Sequence, residues 1–128
     1  MTMKTIDRKI AGVTVVDVSG RIVLGEDTAL LRNTVRDLIA TGQKNILLNL
    51  AEVPYLDSGG IGELVSAFVA VRREGGNVKL LNLTRRVRGI LEIVKLITIF
   101  EVFDDEAAAL ESFARPEDGA RDLKARAS

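Results

Sequence analysis

The residues best placed for chemistry are Asp57-Ser58-Gly59-Gly60-Ile61-Gly62, where a carboxylate and a hydroxyl precede a cluster of glycines. Two readings fit these residue types. In the first, Asp57 or Ser58 caps a helix and the glycines supply turn conformations. In the second, Ser58 accepts a phosphoryl group. A helix start leaves N–H groups without intrahelical partners, and the macrodipole favours an anion there. A phosphate would add about −1.5 to −2 charges to the surface, so its effect would fall on a partner rather than on the fold. The local pattern leaves both readings open.

Three catalytic readings fail. The residue two before Ser58 is Leu56 rather than glycine, and the chain holds no histidine to activate the hydroxyl, so this is not a nucleophile elbow. No Lys-Ser or Lys-Thr follows the glycines, so it is not a phosphate-binding P-loop. The glycine spacing does not match a dinucleotide fingerprint either. Glu52 and Asp57 form an acid pair that could in principle do general acid–base work, but neither has an evident complement.

Other clusters have plain explanations. Thr84-Arg85-Arg86-Val87-Arg88 is read as a solvated helix face with local ion pairs, in preference to a nucleic-acid or acidic-partner surface. Asp104-Asp105-Glu106 suits the first turn of a helix, where acids complement the dipole, better than a metal site. The loop Gly20-Arg21-Ile22-Val23-Leu24-Gly25 holds three apolar residues. They either fold onto the core or stay exposed for a partner, which would suit a binding surface beside Ser58.

Composition narrows the classes. The 128 residues suit one domain, with 47% hydrophobic and 28% charged side chains. Eighteen basic and eighteen acidic side chains cancel, which gives no reason to expect nucleic acid or an anionic membrane as partner. The absence of cysteine removes disulfides, a thiolate nucleophile and a thiolate zinc site. The absence of histidine removes the usual general base and the commonest metal ligand. No cofactor is expected, and an enzyme is disfavoured. Apolar runs such as Ile46-Leu47-Leu48 and Val94 to Phe100 are too short or interrupted to span a bilayer. The first residues lack the apolar core of a signal peptide, so the expected location is the cytoplasm.

The elements that must position Ser58 alternate along the chain. Lys4–Ile10 and the β-branched Val13–Ser19 read as a hairpin. Asp27 or Thr28 is the expected cap of a helix with Leu31, Val35 and Leu38 in its stripe, ending at Gly42. Ile46 to Leu50 reads as a strand covered on both faces. A helix with Ile61, Leu64, Val65 and Phe68 follows and stops at Gly75-Gly76. Asn77 to Leu83 is another strand, and Thr84 caps a helix carrying Val87, Ile90, Leu91 and Val94. A short strand near Phe100–Phe103 leads to a helix from about Asp104 to Phe113. Residues 1–114 form the expected domain and 115–128 an expected disordered tail. The order predicts an α/β fold with a mostly parallel, mixed sheet of four to five strands and about four helices. In such sheets function sits beyond the carboxyl ends of the strands, where Asp57-Ser58 falls.

From about Thr5 to Phe113 the chain resembles the STAS domain family, in particular bacterial anti-sigma factor antagonists. The resemblance is most specific at Asn49 to Gly62, which is similar to the family's Asp-Ser-(Ser or Thr)-Gly-(Leu or Ile)-Gly signature, and extends to Gly75 to Leu80. It implies that Ser58 is phosphorylated by an anti-sigma factor that is itself a serine kinase of the histidine-kinase-like ATPase fold. It implies further that the unphosphorylated form binds that kinase and frees a sigma factor, and that a serine phosphatase resets the switch. The implied contact residues are Asp57, Ser58, Gly59 and Gly60 with Ile22, Val23, Leu24, Glu26 and Asp27; the implied state is a monomer or weak homodimer. Two positions depart from the pattern. Gly59 stands where Ser or Thr is usual, which predicts a more flexible loop. Val23 stands where many members carry an acid, with Glu26 or Asp27 the nearest replacement. A STAS subunit of a lipid-transport ATPase, or a scaffold in a stress-sensing complex, is the alternative within the same fold.

Overall fold

In a computed structural model the two opening β-branched runs pair as the antiparallel hairpin β1 (Lys4–Ile10) and β2 (Val13–Ser19). The model describes residues 2–114; the expected tail at 115–128 lies outside the described residues. Ala11 and Gly12 join the strands with φ of 51° and 81°. Two consecutive positive φ values define a turn whose twist matches the hairpin, and glycine relieves the strain at the second.

The chain continues through α1 (Glu26–Ala40), β3 (Asn45–Glu52), α2 (Ser58–Arg73), β4 (Asn77–Leu81), α3 (Arg85–Ile93), β5 (Val102–Phe103) and α4 (Glu106–Ala114). The five-stranded sheet runs β1-β2-β3-β4-β5, parallel at every pairing after the hairpin. From β2 onward each strand joins its immediate neighbour through one helix. Because such crossovers share one hand, an unbroken strand order places α1, α2 and α3 on the same face of the sheet.

Alternation along the strands sorts the core accordingly. Val16 and Val18, Ile46, Leu48 and Leu50, and Val78 and Leu80 meet Leu31, Val35, Leu64, Val71, Val87 and Leu91 from the three helices. Val13, Val15, Leu47 and Leu81 point the other way, towards Ala109, Leu110 and Phe113 of α4. That second face also carries charge. Asp17 is bound by Arg8 at 2.6 and 3.0 Å and by Asn49 at 2.8 Å, and Arg8 continues to Glu106. Lys79 is buried but paired with Glu101 at 2.7 Å and Ser112 at 2.8 Å, with its ammonium 4.5 Å from the Phe113 ring centroid. Burial of a lysine is tolerable only with such partners.

Several boundaries differ from expectation, three of them with a clear cause in the backbone. The α1 cap is Gly25, so the helix starts before Asp27 and Thr28. The strand expected to reach Leu83 stops at Leu81, because Asn82 turns to a φ of 57°. The last strand contracts to Val102–Phe103, the only residues there that pair with β4. Among the described residues, no helix is long and apolar enough to cross a membrane.

Candidate functional site

Beyond the carboxyl ends of β2 and β3 the two following segments stay laced together. Gly20 N–H donates to the Glu52 carbonyl at 3.0 Å and Ile22 N–H to the Tyr55 carbonyl at 3.1 Å; Asp57 N–H donates to the Ile22 carbonyl at 3.3 Å. Ile22 and Leu56 form a parallel bridge, and both side chains are buried. The start of α2 rests directly on this bridge. A Cβ on Gly60 would collide with the Ile22 carbonyl oxygen, so only glycine permits the approach.

Asp57 caps α2 by accepting the Gly60 N–H at 2.8 Å. The same carboxylate accepts the Leu24 N–H, at 3.2 and 3.1 Å to its two oxygens. One side chain therefore fixes both the helix start and the preceding loop. The Gly60 N–H, followed by that of Leu24, holds the Asp57 carboxyl below its ordinary range, because both stabilise the anion. Asp27 acts similarly one step away, accepting the Val23 N–H at 3.2 Å. Thr28 reaches back to accept the Gly25 N–H at 3.1 Å.

Ser58 is the first residue of α2 and is exposed. Beside it, Gly59 is helical and packed. A Cβ there would lie 2.6 Å from Leu24 Cβ and 3.0 Å from Leu24 Cδ1, so the Leu24 side chain fills the space that a side chain at 59 would take. Leu24 nevertheless stays 74% exposed.

The structure brings Asp57, Ser58, Gly59 and Leu24 together, with exposed Glu26 just beyond the loop at the start of α1. It corrects three expectations. Ile22 offers no side chain to a partner, being fully buried under the loop. Gly60 is likewise buried, with its N–H taken by Asp57. Gly59 does not loosen a loop, since it lies inside α2 against Leu24. The apolar loop thus divides: Ile22 joins the core, Val23 is half-buried and Leu24 faces out.

Two neighbours were not singled out from the sequence for this edge. Arg86 stacks over Tyr55 at 4.7 Å, and Thr84 donates to the Val53 carbonyl at 3.2 Å, joining the α3 start to the strand that delivers Ser58. The sequence signals were the Thr84 cap and the basic cluster that follows it, neither of which pointed to this edge. Among the described residues, the Arg cluster forms one ion pair, Arg88 with Asp104 at 3.5 Å. Asp105 caps α4 through the Ala108 N–H at 2.9 Å and Glu106 binds Arg8, so the acids there serve as cap and ion-pair partners. Among the described residues, no three acidic, histidine or cysteine side chains gather to hold a metal.

Comparison with known proteins fits this geometry. Residues 5–109 match the family described as the STAS domain. The chain belongs to the STAS domain family. A stretch of 53 residues is 38% identical to the anti-sigma-B factor antagonist of Bacillus subtilis (strain 168), covering 41% of this chain and 49% of that relative, about half its length. The anti-sigma F factor antagonist of Paenibacillus polymyxa is 27% identical over 101 residues, covering 77% of this chain and 85% of the relative. The solved structure of the unphosphorylated anti-sigma factor antagonist SpoIIAA superposes with a TM-score of 0.66 at 16% identity, covering 87% of this chain and 98% of that one. That likeness establishes a shared STAS fold.

Proposed function

We propose that this STAS domain is an anti-sigma factor antagonist switched by phosphorylation of Ser58. In this reading the unphosphorylated chain holds an anti-sigma factor that is a serine kinase, so that a sigma factor is released. Phosphorylation ends the complex, and a serine phosphatase restores it. The observation that carries the reading is the placement of Ser58: exposed, on the first turn of α2, beside a carboxylate already committed to the cap.

That placement separates the modification from the fold. Asp57, not Ser58, provides the capping oxygen, so derivatising the Ser58 hydroxyl leaves the helix start intact. At the centre of an interface, a phosphate would be desolvated beside the Asp57 anion. A penalty of about 3–4 kcal/mol would weaken binding by hundreds-fold. The names of two sequence relatives support an antagonist role. The regulatory role needs no catalytic group of its own.

Intact-mass analysis of the chain purified from its own host tests the reading, with one phosphate expected and mapped to Ser58. In pull-downs, Ser58→Ala should retain the kinase constitutively and Ser58→Asp should lose it. Equal retention by Ser58→Asp and wild type would sink the switch. Co-purification with an ATP-binding-cassette subunit instead of a kinase would favour the transport-linked alternative.

A further inference from the structure

An exposed leucine is ordinary on a protein surface, but Leu24 is held in place by its surroundings. Its N–H is bound to both oxygens of Asp57, the preceding N–H is bound by Asp27, and the residue before that, Ile22, is anchored in the core. Its side chain lies against the first turn of α2 in the space left by Gly59. At 74% exposure most of it remains available. With the backbone fixed in this way, covering Leu24 has only its own side chain left to order. Because Gly59 directly follows Ser58, a protein that closes on the Ser58 hydroxyl must also cover Leu24.

We propose that Leu24 is the specificity-determining residue of the Ser58 surface, seated in a leucine-sized apolar socket beside the serine-receiving cleft of the kinase partner. This rests on the reading of Ser58 as the residue a kinase receives. Gly59 is the other half of the device: a side chain there displaces Leu24 from its seat. Burying one leucine side chain corresponds to roughly ten- to hundred-fold in affinity.

Tagged wild type, Leu24→Ala, Gly59→Ser and Ile93→Ala are expressed in the host, and the ATP-binding protein that co-purifies is identified and produced recombinantly. It is then titrated calorimetrically against each purified chain, while mass spectrometry reads the phosphate on Ser58. Ile93 is 81% exposed and serves as an apolar control away from the loop. Leu24→Ala and Gly59→Ser should each weaken binding at least ten-fold, with unchanged melting temperature for Leu24→Ala, and Ile93→Ala should bind as wild type does. Binding of Leu24→Ala within two-fold of wild type overturns the inference even if Ser58 is phosphorylated. So does the absence of any partner whose recovery depends on Leu24, or a change only in self-association. If Leu24→Ala loses the ATP-binding partner but no phosphate is found on Ser58, the switch falls and the docking role of Leu24 stands.

Discussion

Two helices, α2 and α3, start at the same edge of the sheet, each after a parallel strand and each with a side-chain cap. The α3 cap is neutral and fully employed: Thr84 accepts the Val87 N–H at 3.2 Å and donates to the Val53 carbonyl at 3.2 Å. Exposed Arg85 and Arg86 follow it. The α2 cap is an anion that also ties down a distant loop, and small residues follow it. The difference separates holding from presenting. At α3 the cap residue is a joint between two segments, whereas at α2 the joint is Asp57 and the neighbouring hydroxyl of Ser58 is left outward. A residue can change chemically without loosening the fold only where another residue already makes the structural bonds.

The strongest way to break this contrast is at Gly60. A Cβ there would run into the Ile22 carbonyl oxygen, so Gly60→Ala must part α2 from the bridge beneath it. Backbone cannot yield as a side-chain tip does, and a loss of about 3 kcal/mol or more is expected in denaturant unfolding. A loss below about 1 kcal/mol would mean that the two loops are only loosely joined. Thr84→Val comes next. It removes a cap and strands the Val53 carbonyl, for an expected cost of about 1–2 kcal/mol. It should leave Ser58 phosphorylation unchanged, which separates the α3 joint from the α2 surface.

Much of this arrangement was legible in the sequence, and the exceptions share a cause. The β-branched run Val13–Ser19 and the apolar run from Ile46 marked strands correctly, and Ile61, Leu64 and Phe68 of the expected α2 stripe pack in or against the core. Asp57 and Thr84 announced themselves as caps because their chemistry is local. The start of α1 was misplaced because Gly25 has no side chain to signal a cap, while Asp27 looks like one but turns to the Val23 N–H. The division between Ile22 and Leu24 was not readable either. It depends on the Asp57 tie across 33 positions and on the empty space over Gly59, neither of which a local pattern encodes.

Acid sharpens the contrast without a mutation. The Asp57 carboxyl lies below its ordinary value because the Gly60 and Leu24 N–H groups bind its anion. A depressed folded-state pKa means that the stabilisation is complete above the unfolded value, about 3.9 for aspartate, and is lost as pH falls through the folded value. Asp17, depressed chiefly by Arg8, has the same sign. In an NMR titration below about pH 4, the Leu24 and Gly60 amides should move together with the Asp57 carboxyl. The Val87 amide, held by a neutral threonine, should not follow that titration. Independent midpoints for Leu24 and Gly60 would show that one carboxylate does not serve both.

The smallest effect is expected at Gly62, and its sign is the informative part. Gly62 is exposed in the first turns of α2 and a Cβ there meets nothing within 4 Å. Gly62→Ala should therefore stabilise the fold by about 0.5–1 kcal/mol, through helix propensity and a less flexible unfolded chain. The same substitution two positions earlier costs stability, so one helix turn holds glycines of opposite meaning. Gly60 is required by the backbone it touches, whereas Gly62 has no such requirement within the isolated domain. A chain in which Gly62→Ala gains stability yet loses kinase binding would place Gly62 under the partner, extending the surface of Leu24 and Ser58 by one turn. If stability rises and binding is unchanged, that surface ends at the first turn of α2.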